Sequence, residues 1–175
     1  MRQTVYYVII GLGILWGAVL LARWLWFGDR LAPPSVLADR ILNAPSADEK
    51  ISAARDMVRH GPAARSEMDR VLAGFRSDDP AVMVAVFEAA ASAKCWRSLP
   101  KLFEWMEHPD ARVRGKAASA VSAIMGADYF FRASDPPEQR AETLARIKMV
   151  YQRLGPELEA IFERGAASGA GGAPR

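Results

Sequence analysis

Apolar residues run without a formal charge from Val5 to Ala22, and beyond Pro34 they recur at three- and four-residue spacing almost to the end of the chain. The first pattern predicts one long apolar helix, the second a succession of amphipathic helices. Few segments alternate in the two-residue period of a half-buried strand, so the expected fold class is all-α.

The apolar run sets the expected organisation of the N-terminus. A membrane-spanning helix needs about 20 mostly apolar residues, and Val5 to Ala22 extended by Thr4 and by Arg23 to Phe27 is long enough. Arg23 sits where its stem can snorkel to headgroups, and Trp24, Trp26 and Phe27 would place rings at the membrane interface. A cleaved signal peptide would instead show an Ala-x-Ala-like site after the run, where bulky Trp and Leu surround Arg23. The expectation is a single-pass membrane protein with residues 1–28 as a transmembrane helix in contact with lipid. Arg2 at one end and Arg23, Arg30 and Arg40 at the other leave the side of the following domain open. Gly13 and Gly17 would let two such helices approach closely, giving a weak homodimer. Residues 29–45, with Pro33-Pro34, read as a stiff juxtamembrane linker and a first short helix.

Self-comparison organises residues 46–164. A shift of 31 carries Asp79-Pro80-Ala81-Val82 onto Asp110-Ala111-Arg112-Val113. The small or apolar series Val86, Ala89, Ala90, Ala93 falls onto Ala117, Ala120, Val121, Ile124, and Met68, Val71, Leu72, Phe75 onto Leu99, Leu102, Phe103, Met106. The same shift backwards places Ile51 on Val82. A unit of helix, turn and helix cannot bury its apolar face alone, so neighbouring units must stack. Helix ends agree: Asp79 and Asp135 precede prolines as N-caps, Glu138 completes a capping box, and Gly61 and Gly126 stand where helices should stop. Pro80 to Ala93 carries only Glu88 as a charge and must be sandwiched between neighbours. A last helix from about Pro136 to Leu154 reads as a terminal cap, and the small-residue tail 165–175 as disordered.

The segment from Ser46 to Met125, with Asp-Pro-x-Val at Asp79, Leu99-Pro100-x-Leu102 and Pro109-Asp110-x-x-Val113-Arg114, resembles the short HEAT repeats of phycobilisome-lyase-like proteins. The first unit departs from that pattern, since Asp48-Glu49-Lys50-Ile51 lacks the proline and Arg55 replaces a small residue. Asp128-Tyr129-Phe130-Phe131 and Asp135-Pro136-Pro137 also resemble the ends of bacterial HEAT-like proteins. The resemblance implies a short α-solenoid of HEAT-like helix pairs, with Arg114 pairing to acidic residues of adjacent repeats.

Charge then narrows the partners. The net charge is +3, and setting aside Arg2 and Arg23 leaves 21 basic against 20 acidic residues. That balance lacks the clustered excess which nucleic acid requires, so no nucleic-acid partner is expected. His60 and His108 stand at helix ends beside Gly61 and Pro109, placed to bond the last carbonyls. Asp78 and Asp79 read as helix-start residues. Cys95, beside Lys94 and Arg97, reads as a small buried hydrophobe, with a lowered thiol pKa as the other reading. No nucleophile, phosphate-loop or metal spacing is present, so no enzyme activity, metal or cofactor is expected.

A binding surface remains. With Leu99, Leu102, Phe103 and Met106 inward, Lys101, Glu104 and Trp105 turn outward or to the flank, on the layer of second helices that solenoids offer to partners. Trp105 is the expected anchor, the other reading being that it covers the flank of a neighbouring unit. Arg65, Arg70 and Arg97 are expected to rim this surface. The expected function is a non-catalytic, membrane-anchored scaffold or adaptor for a protein partner. The resemblance alone implies the alternative, a lyase or chaperone acting on a tetrapyrrole-bearing protein.

Overall fold

Capped helices follow one another along the chain in a computed structural model that describes residues 31–169. These are α1 (Pro34–Asn43), α2 (Ala47–His60), α3 (Arg65–Gly74), α4 (Pro80–Ala93), α5 (Leu99–Trp105), α6 (Ala111–Met125) and α7 (Pro137–Gly169). Short 3-10 turns, Gly61–Ala64 and Trp96–Ser98, lead into α3 and α5. Among the described residues there is no strand, and the fold class is all-α. The chain divides into two compact units, Met1–Ala32 and Pro33–Arg175, and helices α1 to α7 all belong to the second.

Local chemistry explains the helix starts. Asp79 and Asp110 occupy equivalent positions and do the same work: each carboxylate accepts the backbone N–H two residues on, from Ala81 at 2.8 Å and Arg112 at 2.7 Å. Ser46 caps α2 by accepting from Glu49 N at 3.2 Å. The cap of α2 therefore lies 33 residues before Asp79, not 31. Ile51, half-buried, is not the interior counterpart of Val82, and Ala53, Ala54 and Met57 form the buried stripe of α2 instead. The second helices keep the 31-residue register, with Met68, Val71, Leu72 and Phe75 buried like Leu99, Leu102, Phe103 and Met106.

Stops are equally local. Gly61 and Gly126 end α2 and α6 at φ +53° and +73°, a region that glycine enters without steric cost. Lys94 ends α4 in the same left-handed region, and its ammonium donates to Ala123 O in the last turn of α6.

The helices pack in two rows. α2 lies against α4 and α4 against α6, so α4 is central and buries eight residues from Val82 to Ala93. α1 covers α2 and α3, while α5 packs on α6. Leu144 and Ile147 are buried on α7, and Tyr151 meets Phe103 edge to face at 5.6 Å. α7 begins at Pro137, and Asp135 contributes through its carbonyl, which accepts from Arg140 Nη1 at 2.6 Å. The helix continues past Leu154, the expected end, to Gly169.

The membrane expectation is corrected here. Among the described residues no helix is long and apolar enough to cross a membrane, so single-pass localisation finds no support. The apolar helix α4 has 14 residues, about 21 Å against the ~30 Å of a hydrocarbon core. The long helix α7 carries Arg140, Glu142, Arg146, Lys148 and Arg153 along its length. Gly13, Gly17, Arg23, Trp24, Trp26 and Phe27 lie outside the described residues.

Candidate functional site

The short helix α5 organises the candidate surface. Pro100 sits in its first turn, where no N–H is needed, and Leu99, Leu102 and Phe103 point into the interior. A helix that buries this stripe turns Lys101 and Glu104 outward, and they form an exposed ion pair. Lys101 Nζ also lies 5.5 Å from the centre of the Trp105 ring, within cation–π range.

Trp105 is half-buried. Its ring meets Phe87 of α4 at 5.0 Å and Phe75, just after α3, at 6.1 Å with the planes 71° apart. The indole therefore covers the flank of the preceding helix pair. Sequence reasoning named Trp105 but not its two aromatic partners. Their spacing to it, 18 and 30 residues, is visible only after the helices are stacked.

Lys101, Glu104 and Trp105 come together, and the expected rim residues are engaged elsewhere. Arg70 donates to Asp39 Oδ1 and Glu67 Oε2, each at 2.9 Å, and ties α3 to α1. Arg65 donates to Ala93 O at 3.2 Å, holding the start of α3 to the end of α4. The Arg97 guanidinium lies 5.6 Å from the Trp96 ring centre. Ser98 Oγ donates to Asp69 Oδ1 at 2.5 Å, a second tie between the pairs.

Arg114 corrects an expectation. Its guanidinium donates to carbonyls: Ala133 O at 3.1 and 2.7 Å, His108 O at 2.7 Å and Pro109 O at 2.8 Å. A planar fork of donors suits several converging oxygens, and the loop after α6 supplies them where acidic partners were expected. Acid–base pairing between rows falls to Lys116, which meets Glu88 at 2.9 Å.

His108, Cys95 and Asp110 serve the fold. His108 Nδ1 accepts from Asp110 N at 3.1 Å, so it braces the start of α6. Cys95 is fully buried, and desolvation pushes its thiol far above the ordinary range, with Asp69 adding to the shift. That excludes the lowered thiol pKa. Asp110, beside Arg112 at 2.9 Å, is pushed down to about 2 by that pairing and by backbone N–H donors. Among the described residues no cluster of three His, Cys, Asp or Glu is placed to hold a metal ion.

Two clefts open on the surface. One of about 390 Å³ lies over the first-helix row between Ile51, Arg55, Pro80, Val84, Glu88 and Arg112. The other, about 190 Å³, lies between Met106, Glu107, Phe131, Pro137, Arg140 and Leu144. Neither was legible before the packing of α2 on α4 and of α7 on α5 was known.

No protein-family model, curated protein or solved structure matches the chain.

Proposed function

We propose that this protein is a non-catalytic scaffold built as a short α-solenoid of HEAT-like helix pairs, which holds a protein partner along its second helices. One observation carries the reading: two successive units repeat the same interior, from the Asp79 and Asp110 caps to the buried series of α3 and α5. Stacked units of this kind present an extended rigid surface, and solenoids bind through it. Lys101, Glu104 and the outer edge of Trp105 are the part of that surface with the polar and aromatic character of an interface anchor. Trp105 serves both ends, closing the junction between units and offering its remaining surface to a partner.

Photo-crosslinking tests this. A crosslinking residue is placed at Lys101 or Glu104, on the second-helix row, and at Glu88 or Arg112, on the first-helix row. One protein captured from the second-helix positions and lost with Trp105→Ala supports the proposal. Equal capture from both rows, insensitive to Trp105, refutes it.

A further inference from the structure

The turn after α6 projects an aromatic knob beside a hole that fits it. Phe130 is 80% exposed and holds φ +55°, a conformation that non-glycine residues rarely adopt. The turn is fixed in that shape by Asp128, whose carboxylate accepts Phe130 N at 2.8 Å. The next residue, Phe131, lines the 190 Å³ cleft with Met106, Pro137 and Leu144. A cavity of about 150 Å³ takes a benzene molecule, so this cleft has room for one phenyl ring. Phe130 cannot fill it from its own chain while standing exposed.

We propose that the occupant is Phe130 of a second copy of this chain. Knob and hole are adjacent, so a two-fold axis between two copies places each Phe130 in the other's cleft, an isologous contact. Charge supports the same pairing. The knob is flanked by Asp128 and Arg132, and the hole by Glu107 and Arg140. Antiparallel approach sets Arg132 against the partner copy's Glu107 and Asp128 against its Arg140. Among the described residues neither the Arg132 nor the Glu107 side chain has an ion-pair partner of its own. Two aromatic rings and their clefts bury less than the 1,200–2,000 Å² of a standard stable interface, so the dimer is weak, with Kd on the order of 10–100 μM.

The test uses the full chain with a photo-crosslinking phenylalanine analogue at position 130, mixed as light and heavy nitrogen isotopes. Expected are mixed-isotope crosslinks from position 130 to peptides containing Met106 or Pro137 to Leu144. Glu107→Arg and Arg132→Glu should each lower the yield roughly tenfold when alone. Mixing the two variants should restore it, because each then faces an opposite charge. Crosslinks confined to one isotope, crosslinks to other surfaces, or no recovery on mixing would each overturn the proposal.

Discussion

Phe75 and Trp105 meet edge to face with ring centres 6.1 Å apart, although 30 residues separate them. The contact joins the end of one helix pair to the second helix of the next. It fixes how far the pairs can slide, and it makes Trp105 a residue of the junction as well as of the surface.

Truncation of Trp105 should reflect that position. Trp105→Ala loses a half-buried ring and two aromatic contacts and should cost about 2 kcal/mol. Leu102→Ala empties a fully buried site and should cost roughly 2–5 kcal/mol. Trp105→Phe should recover most of the loss. Urea unfolding at unchanged m-value measures all three.

Arg114 should tolerate no replacement by lysine. Its guanidinium reaches three carbonyls across the base of α6, and a single ammonium cannot span them. Both Arg114→Lys and Arg114→Ala should destabilise by about 2 kcal/mol. Hydrogen exchange should quicken first from Gly126 to Asp135, the loop that Arg114 holds. A stable lysine variant would contradict this.

Stability should also fall in acid through Asp110. Its folded-state pKa is depressed to about 2, below the ~3.9 of an unfolded aspartate. The contribution is therefore complete above about pH 4 and is lost as pH falls from there towards the folded-state value. Asp110→Asn should flatten the melting temperature's dependence on pH in that window. High salt should weaken the effect, because the pair is exposed.

The Cys95 thiol should resist alkylation at neutral pH until the chain unfolds. It is buried and its pKa is raised, so modification should track the unfolded population in a urea titration. Rapid labelling of native protein would place the thiol at the surface.

Much of this was legible where chemistry is local. Asp79 and Asp110 cap as their place before α4 and α6 implies, and the apolar series from Val86 to Ile124 turns inward because its spacing matches a helix face. The two-residue offset of α2 was hidden. Ser46, not Asp48, is the cap, and either residue type can serve. Arg114 was assigned acidic partners because its oxygens come from carbonyls, Ala133 among them, which only the tertiary fold brings near. Arg65 and Arg70 looked like surface charges, yet they tie helices together across 28 and 31 residues. Phe130 gave no local sign, since its exposure depends on a left-handed turn.

The central claim is that the second helices form a partner surface on a rigid stack, and one paired measurement tests it most directly. Melting temperature and affinity for the captured partner are compared for Lys101→Glu and Leu102→Ala, adjacent residues that face opposite ways. The account predicts that Lys101→Glu leaves melting within a few degrees of the parent while weakening the partner about tenfold or more. Leu102→Ala should lower melting sharply and leave the affinity of the folded fraction unchanged. Unchanged affinity in Lys101→Glu, with all binding loss following stability, would contradict it.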